Sequence, residues 1–158
     1  EHISVLETAN NLGMLYASQG RLAEAEEMYV RALRGKKKVL GAEHTSTLDT
    51  VVNLGATYAI QGQISEAEEM YERALRGEEH PSKLNAVTNL GNLYFNQGKV
   101  VEAEDMYLRA LCGSEEAWGA EHMSTLTIIY NLGALYTDQD KRAEAEEMYI
   151  RALRGYEK

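Results

Sequence analysis

Two stretches of the chain, 42 residues apart, share most of their letters. Residues 11–35 read NLGMLYASQGRLAEAEEMYVRALRG, and residues 53–77 read NLGATYAIQGQISEAEEMYERALRG, identical at 18 of 25 positions. The same Asn-Leu-Gly returns at Asn89 and Asn131, so the steps between copies are 42, 36 and 42 residues. The chain is therefore built from four copies of one repeat.

Each copy carries two blocks with helical periodicity. In the block that follows Leu22, apolar residues recur at steps of three and four, which is the period of one face of an α-helix. The block from Leu48 to Tyr58 has the same period, and a Gln-Gly pair between the blocks predicts a tight turn. Each repeat is thus predicted to be an antiparallel pair, helix A then helix B. One pair cannot bury its apolar stripe alone, so successive pairs must stack.

These patterns predict an all-α fold with all of residues 1–158 in one array. The repeats are expected at about 4–41, 46–80, 82–119 and 124–158. Helices A are placed near 4–18, 46–60, 82–96 and 124–138, and helices B near 22–40, 64–78, 100–117 and 142–156. Thr and Ser side chains in the loops are expected to cap the A helices. Pro81 should end the second B helix by about His80, because proline disfavours helix at the residue before it.

Charge and composition narrow the classes of partner. The net charge is -9 and the isoelectric point is near 5.0, which argues against nucleic acid or an anionic membrane as partner. No run of 18 apolar residues exists that could span a bilayer. The single cysteine, Cys112, has no partner for an internal disulfide, and the first residues show no signal-peptide pattern. We expect a cytoplasmic protein.

Catalysis, metals and cofactors are not predicted. Acidic residues recur early in every B helix with arginines following, which indicates a solvated, self-paired face. His2, His44 and His122 occupy one loop position about a repeat apart, too far from one another to share a metal. The run of residues 36–38 is the only basic cluster and is interpreted as a solvated helix end. We therefore expect no enzyme, no metal and no cofactor.

Residues at fixed offsets in repeat two carry a family resemblance, namely Leu54, Gly55, Tyr58, Gly62, Ala67, Tyr71 and Ala74. They resemble the tetratricopeptide repeat, and the 42-residue spacing is similar to the kinesin light chain variety. The phrases Leu-Gly-Ala-Glu-His and Arg-Ala-Leu-Arg-Gly are similar to arrays in fungal NOD-like (STAND) receptors. The resemblance implies a right-handed α-solenoid of four helix pairs that acts as a non-catalytic protein-interaction module. Where kinesin light chains have His-Pro-Asp, this chain has His44-Thr45-Ser46, so the motor-cargo role does not carry over.

The resemblance also implies a binding surface, because the A helices of a tetratricopeptide superhelix line its concave groove. Matching asparagines in related repeats hold a peptide backbone, and one carboxamide offers both a donor and an acceptor. In the alternative interpretation the asparagines only satisfy local backbone groups. The groove positions carry no Lys or Arg, so a neutral or basic peptide is the expected partner. The candidate peptide-binding residues are Asn11, Asn53, Asn89, Asn131, Asn92, Asn96, Phe95, Tyr130, Asp49 and Met14.

Two alternatives concern the wider context. The chain could instead be a structural or sensor array of a larger STAND-type receptor that has no dedicated peptide ligand. It begins and ends within a repeat, which suggests a fragment of a longer array or an engineered one. Apolar residues of the last B helix would then lie exposed, and we expect self-association through the terminal repeats. These residues are Met148, Tyr149, Ala152 and Leu153.

Overall fold

The computed structural model describes residues 2–76 and 81–158, and within these residues it contains helices and no strand. The helices A are α1 (Ile3–Ser18), α3 (Thr45–Ile60), α5 (Pro81–Asn96) and α7 (Met123–Asp138). The helices B are α2 (Leu22–Val39), α4 (Ile64–Leu75), α6 (Val100–Trp118) and α8 (Arg142–Tyr156). The predicted all-α class of paired helices is confirmed, and each A helix begins one residue before its predicted start.

Two compact units divide the chain, Glu1–Ala86 and Val87–Lys158. In the first unit α1 packs on α2, α2 on α3 and α3 on α4. In the second unit α6 packs on α7 and α7 on α8. Consecutive helices therefore stack within each unit, as one helix pair alone could not bury its apolar face. The prediction of a single array over residues 1–158 stays a prediction.

The second B helix is short. Helix α4 has 12 residues and ends at Leu75, whereas α2 has 18 residues. The step from repeat two to repeat three is also six residues shorter than the other two steps. The predicted end near His80 lies outside the described residues.

Each helix pair is held at close range by a glycine on helix A and a tyrosine on helix B. A Cβ added to Gly91 would lie 2.8 Å from Cε1 of Tyr107, and one added to Gly55 would lie 2.9 Å from Cε1 of Tyr71. Both rings are almost fully buried. The tyrosine ring thus occupies the space that any other residue on helix A would need.

Helices α1, α3 and α7 begin with a cap different from the predicted one. Nδ1 of His44 accepts the backbone N–H of Ser46 at 3.2 Å, and His122 and Ser124 make the same contact. The prediction of a Thr or Ser cap is wrong, because the Thr47 hydroxyl instead donates to the carbonyl of Gly41 at 2.9 Å. An extended histidine places Nδ1 where the side-chain oxygen of a capping asparagine would lie. This explains the recurrence of histidine at one loop position.

Candidate functional site

The first unit contains a groove between the A helices, here called the first groove, with a volume of about 260 Å³. Helix α1 contributes two residues, α3 three and the start of α5 two, because the same side of each A helix faces the groove. Three of the predicted residues, Met14, Asp49 and Asn53, lie there. The full lining is Asn10, Met14, Asp49, Val52, Asn53, Ser82 and Asn85.

A buried lysine lies behind the first groove. Lys36 of α2 is only 2% exposed, and its ammonium donates to the Thr50 hydroxyl at 3.0 Å and to the Ser46 carbonyl at 3.1 Å. The Thr50 hydroxyl has one hydrogen to donate and two acceptors within reach, Oδ1 of Asn10 at 3.0 Å and the Ser46 carbonyl at 3.1 Å. A polar chain therefore connects the ammonium of Lys36 to a residue that lines the groove.

The position of Lys36 corrects the interpretation of the basic run as a solvated helix end, which holds for the exposed Lys37 and Lys38 only. Burial lowers the pKa of Lys36, and the carboxylates of Asp49 and Glu7 act against this shift. The sequence contained a signal, since Lys36 continues the three-and-four spacing of the buried face of α2.

The second unit contains a groove of similar size, here called the second groove, with a volume of about 270 Å³. Four predicted residues lie in it, namely Asn92, Phe95 and Asn96 of α5 and Asn131 of α7. Tyr107 and Ala134 complete the lining.

Hydrogen bonds fix the carboxamides of the second groove. Oδ1 of Asn92 accepts from the Tyr107 hydroxyl at 2.7 Å and from Nδ2 of Asn131 at 3.1 Å. Burial raises the pKa of Tyr107 to about 12, so this hydroxyl remains a donor at neutral pH. Within the described part of the chain, Nδ2 of Asn92 and Oδ1 of Asn131 have no hydrogen-bond partner. The pair leaves one donor and one acceptor for a ligand.

Three predicted residues line neither groove. Asn11 is exposed, Asn89 is half-buried, and the ring of Tyr130 lies 5.5 Å from that of Tyr149. Conversely, Tyr107 lines the second groove and was not among the predicted residues. Its ring does pack against Gly91, and its hydroxyl reaches Asn92 beside that glycine.

Two further findings concern chemistry and membranes. Among the described residues, no group of three or more His, Cys, Asp or Glu side chains could hold a metal ion. No helix in the same part of the chain has the length and hydropathy needed to cross a bilayer.

The sequence profile of the tetratricopeptide repeat matches residues 4–79 and 82–158. The chain belongs to the tetratricopeptide repeat family. This confirms the resemblance at the level of the family, and repeats of this family generally mediate protein–protein interactions. No curated protein sequence matches this tetratricopeptide repeat chain significantly.

Solved structures resemble the chain over almost its whole length. BtubC (BKLC) from P. vanneervenii is 26% identical with a TM-score of 0.84, and the match covers 96% of this chain and 63% of that one. The tetratricopeptide repeat chain thus spans less than two thirds of that protein. A putative kinesin light chain from Podosopora anserina, with nearly identical TPR-like repeats, is 27% identical with a TM-score of 0.75. That match covers 98% of this chain and 76% of the other, which supports the kinesin light chain-like type.

Proposed function

We propose that the chain is a non-catalytic module that binds an extended, neutral or basic peptide segment along its A helices. The observation that carries the proposal is the free donor on Asn92 and the free acceptor on Asn131 in the second groove. A peptide unit carries one carbonyl acceptor and one N–H donor, so the two asparagines match it whatever its side chain is.

The arrangement is fixed before any ligand arrives. Asn131 is bonded to Asn92, and Asn92 is in turn bonded to the buried Tyr107, so neither carboxamide is free to rotate without losing a hydrogen bond. A binding site whose polar groups are held in place loses less conformational entropy when a ligand binds. The half-buried Phe95 adds an apolar surface beside these groups for a ligand side chain.

The charge of the first groove supports the choice of a neutral or basic segment. Asp49 lines this groove and is exposed, and the lining contains no Lys or Arg. An acidic ligand would meet this carboxylate in addition to the net charge of -9.

The proposal is tested by removing the two free groups. A peptide array first supplies a binding sequence, and fluorescence anisotropy then measures its affinity for the chain and for the double variant Asn92→Ala/Asn131→Ala. Each lost hydrogen bond contributes about 0.5–1.5 kcal/mol net, so the double variant should bind roughly 5- to 150-fold more weakly. Circular dichroism must show that the variant is still helical.

The matched control is the variant Asn11→Ala/Asn89→Ala, which removes two asparagines that line neither groove. Its affinity should equal that of the parent chain. Equal affinity of both double variants would remove the asparagine pair from the binding surface. An array on which no peptide binds would favour the alternative, a structural or sensor array of a larger STAND-type receptor.

We also propose that the chain associates with a second copy of itself through the outer faces of α1 and α8. Of the four residues of α8 predicted to lie exposed, only Leu153 does, at 56%. The prediction is wrong for the other three, because Ala152 is buried in a cluster with Leu126 and Ile129, and Met148 and Tyr149 are half-buried. The residue of α2 that matches Leu153 is Leu33, which is 9% exposed. Leu15 of α1 is 51% exposed, while the matching Leu135 of α7 is fully buried. The outer face of α8 corresponds to the face of α2 that packs on α3, and the outer face of α1 corresponds to the face of α7 that packs on α6. A second copy can therefore place its α1 against this α8 and continue the same packing.

Light scattering should therefore report a mass that rises with protein concentration. The variant Leu153→Glu places a charge in this contact and should give a monomer at all concentrations. The control is Val101→Glu, an apolar position on α6 that is 78% exposed and lies on neither α1 nor α8, which should associate like the parent. A parent chain that stays monomeric at high concentration contradicts this part of the proposal.

A further inference from the structure

The second unit contains an ion pair between its two B helices that has no equivalent in the first unit. Nη2 of Arg151 on α8 donates to Oε1 of Glu115 on α6, and both residues are half-buried. Residues of the first unit match those found 78 positions later in the second, so Arg73 of α4 matches Arg151 and Lys37 of α2 matches Glu115. Where the second unit has an acid and a base, the first unit has two bases.

The guanidinium of Arg73 lacks the partner that Arg151 has. Nη2 of Arg73 is buried, and it has no hydrogen-bond partner within the described residues. Buried polar groups in folded proteins are almost always hydrogen-bonded, so an unpaired one needs a reason. Arg73 as a whole is only half-buried, so part of its side chain is open to a ligand. Because the positive charge is delocalised over the guanidinium, an anion at the open edge also compensates the buried nitrogen.

The glutamates on α4 do not replace the missing partner. Glu69 and Glu72 are exposed, and neither forms an ion pair with Arg73 in the described part of the chain. The second unit has the same local arrangement, since Glu147 precedes Arg151 by four residues, and Arg151 nevertheless binds the carboxylate on α6. The arginine at this position therefore takes its carboxylate from outside its own helix.

Lys37 adds a second cation at the position from which that carboxylate comes in the second unit. Its side chain is exposed, and among the described residues it has no ion pair. A lysine ammonium on its flexible four-carbon stem can move towards a carboxylate that an arginine holds.

We propose that Arg73 and Lys37 form a binding site for one carboxylate side chain of an acidic protein segment, between α2 and α4. The ligand carboxylate takes the position that Glu115 has in the second unit, and Arg73 binds it as Arg151 binds Glu115. This site lies on B helices, whereas the lining of the first groove comes from A helices. It is therefore a second binding surface that does not depend on peptide binding in the grooves.

The test uses two pentapeptide probes, acetyl-Ala-Glu-Glu-Glu-Ala-amide and its twin with glutamine in place of each glutamate. The Nε–Hε cross-peak of the Arg73 side chain is followed by NMR at physiological salt, where the net charge of -9 is screened beyond about 8 Å. The glutamate probe should shift this cross-peak. The glutamine probe should bind at least roughly 10-fold more weakly, because it forms no charge-assisted hydrogen bond.

The variant Lys37→Glu places an internal carboxylate at the position that matches Glu115. It should weaken binding of the glutamate probe at least roughly 10-fold, because the site is then occupied by the chain itself. The matched control is Lys38→Glu, which makes the same change of charge at the next exposed residue of α2 and should weaken binding less than about threefold. Equal losses in the two variants would reduce the site to a general effect of charge and overturn the proposal.

The reciprocal variant, Glu115→Lys, removes the carboxylate from the second unit and should create the same site there. The Nε–Hε cross-peak of Arg151 should then respond to the glutamate probe as that of Arg73 does in the parent chain. This variant keeps the proposal testable if Lys37→Glu does not fold. An Arg73 cross-peak that millimolar glutamate probe leaves unmoved in the parent, or an unmoved Arg151 cross-peak in Glu115→Lys, contradicts the proposal.

Discussion

In the first unit helices α2 and α3 meet over a buried lysine, whereas the matching helices of the second unit, α6 and α7, meet over a buried serine. The lining of the first groove includes Asp49 and Met14, whereas the lining of the second groove includes Asn92 and Asn131. The helices α1, α3 and α7 nevertheless have the same length, at 16 residues each.

The repeat separates the residues that pack its helices from the residues that set the chemistry of its grooves. Glycine and tyrosine set the distance between helices A and B in both units, as Gly55 with Tyr71 and Gly133 with Tyr149 show. The residues that differ between the units, such as Lys36 and its match Ser114, lie outside these glycine–tyrosine contacts. The same scaffold can thus present a charged groove and a carboxamide groove.

The largest effect is expected when the lysine is moved to the second unit. The variant Ser114→Lys would bury an ammonium beside Ile128 and Thr127, without a carboxylate at the matching position. An unpaired buried charge should lower the free energy of unfolding by about 2–4 kcal/mol, measured by urea denaturation. Adding Thr127→Asp should restore about 1 kcal/mol of this loss. A variant Ser114→Lys as stable as the parent would show that the carboxylate is not needed to bury the lysine.

A smaller difference is expected between two glycine variants. A Cβ at Gly55 would lie 2.9 Å from the ring of Tyr71, which is 2% exposed, and 3.1 Å from Cβ of Met70. Gly55→Ala should therefore cost about 1–3 kcal/mol of stability. Gly133→Ala meets the half-buried ring of Tyr149, which has space to move, and alanine favours helix by about 1 kcal/mol. Its thermal midpoint should be close to that of the parent, and equal losses in both variants would contradict this argument.

The smallest expected effect is the difference in the free energy of unfolding between the variants Tyr107→Phe and Tyr29→Phe. Tyr107→Phe removes the donor to Asn92 and should cost about 1 kcal/mol, with a looser second groove. The matching Tyr29 in the first unit is buried, and its hydroxyl has no hydrogen-bond partner within the described residues. Tyr29→Phe should therefore change the free energy of unfolding by less than about 0.5 kcal/mol. If the two changes are equal, the hydrogen bond to Asn92 contributes no stability.

The helices and their pairing could be predicted from the sequence, because apolar spacing, the Gln-Gly turns and the fourfold repetition all report on local structure. Seven of the ten predicted site residues lie in a groove, since the helical period decides which side of helix A they occupy. The remaining three are Asn11, Asn89 and Tyr130. Whether such a residue lies in a groove depends on which neighbouring helix covers it, and the pattern along one helix does not contain this.

The buried role of Lys36 and the capping role of histidine were not predicted. Spacing places Lys36 on the buried face of α2, but it does not decide whether a lysine there stays buried or turns into water, and it does not reveal a histidine cap. A lysine can extend from the edge of a buried face to partners on the next helix, as Lys36 does to Thr50, or turn into water as Lys37 does. The choice is made by the partners 10 to 14 residues away, which a pattern along one helix does not contain.

The lysine behind the first groove also constrains the order in which the two units could have diverged. A carboxylate at the position of Asp49 is exposed and changes stability little by itself, so it can appear in either background. On the expectation that the Ser114→Lys variant tests, a buried lysine at the position of Lys36 costs less stability where a carboxylate is already present. Starting from an uncharged ancestral repeat, the acidic residue comes first and the lysine second, and losses proceed in the reverse order. The mutational path between the two grooves is therefore directional, although its end points share one fold.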